Sequence, residues 1–280
     1  FTRTLQPDRP ALFFSCAFLY HLERWQVGAG KLHPFASAAF ASLALLQKIS
    51  GALLFFPAVY LIVSQRGLFK SLSSWRLWVW GMAILAPVGA WYAYASRNSW
   101  SFGIWQDKYS ELWHLTDSYY WKVFSERFAF DLLTWAGIIL LVLGLQHVGR
   151  PRAVRFAAVW IASVLVFIAL TLPGNDAHAY YQLPIAPPAS IVIAMAIVEL
   201  ARRGWPGRVV LAGLAIVHAM ITREILTSYH QPTVDIADGS ALLIRHVPRG
   251  ARIVSTDRNP ALFYNAGVEA WFPGSADLGV

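Results

Sequence analysis

The chain has 280 residues, 57% of them hydrophobic and only 14% charged, with a mean hydropathy of +0.47 and a formal net charge of +8. A soluble domain carries about 25% charged residues, so this composition excludes an ordinary soluble globule and indicates a polytopic membrane protein. The basic residues are scattered through short loops, which excludes a nucleic-acid patch, and the lone Cys16 excludes disulfides and cysteine-held zinc or iron–sulfur centres.

In chain order, Phe1 opens the sequence with neither a methionine nor a basic region and cleavage site, so the expectation is a fragment whose upstream part lies outside it. Pro10 precedes an apolar run over 11–27 and suits a helix start. The next apolar stretch, 33–63, would be roughly 45 Å long as one helix, against a ~30 Å hydrocarbon core. Two shorter helices over 34–47 and 51–64, turning at Lys48-Ile-Ser-Gly51, fit better. Further spans are expected over 78–95, 129–146, 156–172, 185–201 and 209–227, each near the ~20 residues a bilayer requires. The tail changes character: 238–246 reads as a helix, 251–256 as a strand, 260–266 as a short helix and 268–272 as a second strand. The expected fold class is an all-α polytopic membrane protein of seven or eight transmembrane helices. Residues 1–227 form its membrane body and 228–280 a small, truncated extracytoplasmic α/β appendage.

Loop charge sets the orientation. Segments 64–76, 147–155 and 202–208 each hold three basic residues and no acid. Segment 97–128 holds four basic and four acidic residues, and 173–184 has Asp176 with no Lys or Arg. The positive-inside rule places the first three in the cytoplasm. The other two, the Lys48 turn, Asp8 and the tail then share the opposite face.

That shared face carries the chemistry. Nucleotide-binding glycine loops, H-E-x-x-H, G-x-S-x-G and paired D-x-D acids are all missing from the sequence, which argues against water-soluble nucleotide substrates. Lys48 sits between two apolar helices, where a cation is costly unless paired, functional or snorkelling to the interface. Arg97 follows Trp91-Tyr-Ala-Tyr94, as a site residue or a boundary anchor. Asp8 precedes the first span, where a helix-terminal charge is the commoner role. The aromatic loop 97–128, including Trp105, suits either an interfacial cover or stacking on sugar rings. Between 173 and 188, Asn175, Asp176, His178, Tyr180, Tyr181 and Gln182 crowd together at an expected membrane boundary. They form either an aromatic belt or a headgroup pocket. His178 has no second ligand near it in sequence, so a divalent metal would need partners from elsewhere in the chain, and no other cofactor is indicated.

The run Asn175-Asp-Ala-His-Ala-Tyr-Tyr-Gln-Leu-Pro-Ile-Ala-Pro-Pro188 resembles the H-x-Y-Y-x-L-P-x-x-P-P segment of bacterial family 39 glycosyltransferases, relatives of protein O-mannosyltransferases and the lipid A aminoarabinose transferase. Gln6-Pro-Asp8, Leu43-Ala-Leu-Leu-Gln-Lys48, Trp91-Tyr-Ala-Tyr94 with Ser101-Phe-Gly-Ile-Trp105, and Asn259-Pro-Ala-Leu-Phe-Tyr264 with Glu269-Ala-Trp271 extend the resemblance over essentially the whole chain. It implies a C-type glycosyltransferase body in a bacterial inner membrane, with its site on the extracytoplasmic face. Such enzymes move a sugar, with inversion, from a polyprenyl-phosphate carrier to a lipid, protein or glycan acceptor. The family's catalytic acid lies in the first extracytoplasmic loop, upstream of this sequence. On that resemblance Lys48 and Arg97 are expected at the phosphate, and Asp8 in a supporting role toward acceptor or loops. His178, Tyr180, Tyr181 and Gln182, with Asp176 and Trp105, are expected around the sugar or headgroup. Two other readings stay open: a lipid or solute transporter or flippase, which also keeps charged residues in spans and predicts internal repeats and discontinuous helices in matching halves, and a non-catalytic assembly subunit, which predicts no dependence on a lipid phosphate.

Overall fold

Helix α1 (Asp8–Gln26) packs along α2 (His33–Gln47), which stops at Lys48, an extended residue with φ −159°. The structure, a computed structural model, describes residues 8–98, 111–147, 151–177, 179–230, 234–248, 252–254, 266–267 and 269–271. After Lys48 a 3-10 turn over Ile49–Leu54 leads into α3 (Phe55–Arg66), so the long apolar stretch is broken where length and polarity predict. Gly51 lets the turn pack closely there. A Cβ on it would sit 3.2 Å from the Ala44 carbonyl atoms, in the last turn of α2.

A short α4 (Leu68–Leu72) leads to α5 (Trp75–Arg97), and α6 (Ser118–Arg127) lies inside the segment read from sequence as an aromatic loop. Asp117 nucleates α6 by accepting the Tyr119 amide at 2.9 Å, an N-cap that the aromatic composition masks. A π-helical turn, Phe128–Leu132, separates α6 from α7 (Thr134–Leu145), and the two limbs meet at 95°. Thr134 stands at the break with φ 61°, unusual for a β-branched residue, and its hydroxyl lies 3.0 Å from His218 Nδ1. Helices α8 (Arg152–Leu170), α9 (Leu172–Ala177), α10 (Ala186–Arg202) and α11 (Trp205–His230) follow, with a 3-10 turn over Ala179–Ile185 ahead of α10.

This is a helical membrane protein. Four helical segments among the described residues, Trp75–Arg97, Arg152–Leu170, Tyr180–Arg202 and Trp205–Thr227, are long and apolar enough to cross a bilayer. A fifth appears if the bent pair Ser118–Phe130 and Thr134–Leu145 counts as one span. The larger number expected from sequence includes α1, α2 and α3. Helix α1 carries Asp8, Arg9, Glu23 and Arg24, and α2 and α3, at 15 and 12 residues, fall short of a ~30 Å core as straight helices.

Side-chain pairings fix how these helices run. Phe14 meets Phe40 and His21 meets His33, so α1 and α2 are antiparallel. Trp80 donates to the Ser37 hydroxyl, Ser42 to the Ile84 carbonyl and Tyr92 to the Leu45 carbonyl, numbers that rise together, so α2 and α5 are parallel. The ends of α1 and α3 meet the start of α8 through Gln26, Arg66, Glu23 and Arg152. The core is sealed by Leu22, Val164, Ala157, Ala189 and Val192. Close approach of α7 to α10 needs Gly144, where a Cβ would fall 2.2 Å from the Val192 carbonyl oxygen. The Trp205–Thr227 segment buries none of its most apolar window, leaving Val209, Val210, Ile216 and Met220 exposed, as suits a lipid-facing surface.

Contacts divide the chain into residues 5–222 and a second unit of 1–4 with 223–280. In the second unit α12 (Val234–His246) precedes β1 (Arg252–Val254), which pairs in parallel with β2 (Glu269–Trp271), Ile253 opposite Ala270. The short helix expected over 260–266 lies almost wholly outside the described residues.

Candidate functional site

The break after α2 sets Lys48 against the segment that precedes α10. Its Nζ lies 4.7 Å from the ring centre of Tyr180 and 4.3 Å from that of Tyr181. Each electron-rich face stabilises a partly desolvated ammonium by about 1–2 kcal/mol, so the two rings position Lys48. Tyr181 is buried against Phe167, with ring centres 5.9 Å apart, and packs edge-on to Tyr180. Lys48 also lines a small cavity with Ala11 and Ser15 of α1, Ser50 and Gly51 of the turn, Trp160 of α8, and Pro184. The indole N–H of Trp160 is buried with no hydrogen-bond partner among the described residues.

A second set of contacts holds the 171–185 segment itself. Arg127, at the end of α6, donates Nη1 to the Asn175 carbonyl and Nη2 to the Asp176 carbonyl, the latter at 2.9 Å. Its guanidinium fork suits two adjacent acceptors. The Tyr119 hydroxyl donates to Asp176 Oδ1 at 3.0 Å, and buried Gln182 donates to the Phe124 carbonyl at 3.5 Å. Asn175 is 2% exposed and donates Nδ2 to the Thr171 carbonyl, while its Oδ1 has no partner among the described residues. The aromatic helix α6 is thus a clamp on this segment, with Tyr119 reaching Asp176 from an exposed position and Trp121 exposed beside it.

The residues singled out from sequence therefore divide. Lys48, Tyr180 and Tyr181 come together. Asp176 and Gln182 belong to the same segment but turn toward α6. Arg97 is exposed in the last turn of α5, with no ion pair or hydrogen bond among the described residues. Asp8 opens α1, and its side chain lies outside the described ones, as do Trp105 and His178. Among the described residues no group of three or more His, Cys, Asp or Glu gathers to hold a metal. Arg127, Tyr119 and Trp160 were not legible as site residues. The Asp117 cap, which starts a helix ending at Arg127, is the one sequence signal that pointed to α6.

Comparison of the chain with protein-family models, characterised proteins and solved structures gives no match.

Proposed function

We propose that this chain belongs to a membrane glycosyltransferase that takes a sugar from a polyprenyl-phosphate carrier. The observation that carries the reading is Lys48, set against Tyr180 and Tyr181 and lining a cavity where the broken α2–α3 hairpin meets the segment before α10. A cation at a membrane boundary with aromatic walls suits a lipid-linked phosphate next to a sugar ring. On this reading the chain crosses a bacterial inner membrane seven or eight times, with α1, α2 and α3 among the crossings. Residues 228–280 would then be an α/β appendage outside the cytoplasm. Polyprenyl phosphate leaves as a stable anion, so the donor side needs cations rather than a general acid. Inversion requires a base to take the proton from the acceptor hydroxyl or amine as its heteroatom attacks the anomeric carbon. The resemblance assigns that base to a loop upstream of this sequence. Lys48 contacts the phosphate, Tyr180 and Tyr181 line the headgroup or sugar pocket, and Arg127 holds that pocket's wall. The acceptor is a lipid, protein or glycan.

The test is Lys48→Met in the full-length protein, with transfer and carrier-analogue binding measured in lipid. Loss of a charge-assisted phosphate contact in a low-dielectric site lowers transfer about 10²–10³-fold at unchanged expression and melting. Lys48→Arg rescues only in part, because a planar fork does not replace a point charge. Near-normal transfer by Lys48→Met sinks the reading and leaves snorkelling as the role of this lysine.

A further inference from the structure

At the opposite end of the bundle from Lys48, three helix ends build a polar cluster that the proposed reaction does not use. Glu23 and Gln26 close α1, Gln65 and Arg66 close α3, and Arg152 opens α8. Arg152 Nη2 donates to Glu23 Oε2 at 3.1 Å, and Arg66 Nε donates to Gln26 Oε1 at 2.7 Å, with the Arg66 guanidinium 5.6 Å from the Trp25 ring centre. In one orientation the Gln65 amide nitrogen faces Glu23 Oε2 at a long 3.5 Å. Turned over, the same amide donates to the Gln26 carbonyl at 3.0 Å and accepts from Arg152 Nη2 at 2.6 Å. That orientation satisfies both of its ends and is the physically sensible one.

The cluster has a surplus of donors. It holds two guanidinium groups and one carboxylate, Glu23, which pairs with Arg152, while Arg66 is held by the Gln26 amide oxygen. Arg152 Nε and Gln26 Nε2 are buried without a hydrogen-bond partner, and neither Nη of Arg66 has one among the described residues. Buried donors are rarely left unpaired, because each costs about 1–3 kcal/mol. The N-terminus of the 19-residue α8 adds its dipole at Arg152. Lys70 of α4 and Arg155 in the first turn of α8 stand exposed on the side that loop charge assigns to the cytoplasm, where the leaflet is anionic.

We infer that the junction of α1, α3 and α8 is an anion site that takes the phosphodiester of an anionic lipid from the cytoplasmic leaflet. Arg66 presents its two Nη atoms to the phosphate oxygens, Trp25 backs that guanidinium, and Gln26 and Arg152 supply the neighbouring donors. The site is separate from Lys48 and stands whether or not the chain moves a sugar.

The experiment reconstitutes the full-length protein in nanodiscs of zwitterionic lipid doped with phosphatidylglycerol, and measures retained anionic lipid by native mass spectrometry. Arg66→Gln removes the unused donors while leaving the Glu23–Arg152 pair intact, and Lys70→Gln removes an exposed cation from the adjoining α4. Melting temperature verifies the fold of each. Retention falls at least fivefold in Arg66→Gln and stays near wild type in Lys70→Gln. Inorganic phosphate is then titrated as competitor. Failure of millimolar phosphate to displace the lipid identifies the headgroup as the source. Displacement, lost in Arg66→Gln, identifies a phosphate site that free anion also reaches. Equal losses in the two variants, or equal retention of zwitterionic lipid, would overturn the site, since diffuse loop charge then accounts for binding.

Discussion

Arg127→Gln is the sharpest perturbation of the clamp on the 171–185 segment. The arginine serves two consecutive carbonyls, Asn175 and Asp176, and glutamine can reach at most one of them without charge assistance. Hydrogen bonds to a charged group contribute about 1.5–3 kcal/mol each, and Arg127 is half-buried, so the lower end of that range applies. Asn175 is 2% exposed, so water does not readily replace the lost donor at its carbonyl. Two bonds at the lower end come to about 3 kcal/mol, or about 10²-fold more frequent opening of the segment. Hydrogen–deuterium exchange of the protein in detergent or nanodiscs reads this directly. Amides over 172–185 exchange about a hundredfold faster, those of α8 and α10 change little, and Arg127→Lys falls between because it restores one bond. Unchanged exchange over 172–185 would refute the clamp. A uniform rise over every helix would do the same, by showing that Arg127 supports global stability instead.

The other expectations are simpler. Gly144→Ala drives a methyl group to 2.2 Å from the Val192 carbonyl oxygen, so α7 and α10 must separate, at a cost of about 1–3 kcal/mol; an unchanged thermal midpoint would show that the two helices pack less closely than described. Single cysteines at Ser118 and Gly204 in a Cys16→Ala background, treated with an impermeant thiol reagent on intact cells, label at 118 and not at 204. The reverse pattern would invert the orientation and place Lys48 in the cytoplasm.

The sequence by itself determined the class of protein, the helix positions to within a few residues, and the break at Lys48. These depend on local quantities: the length of an apolar run, a glycine beside a polar residue, and basic residues in short loops. It also marked the 173–188 segment as unusual, because a polar cluster between two apolar runs stands out in one dimension. Within 97–128 the same reading failed, since ten aromatic residues obscured the Asp117 cap and a balance of four basic and four acidic residues hid Arg127 among its neighbours. Tertiary structure alone decided which polar groups meet. Lys48 and Tyr181 lie far apart in sequence, as do Arg127 and Asn175, or Glu23 and Arg152. Loop charge places members of each pair on one face of the membrane, but many residues share a face. Which of them touch is set by how closely helices pack, where Gly51 and Gly144 allow backbones to approach, and where α6 turns through 95° into α7. Those are properties of packed surfaces, carried by no single stretch of the chain.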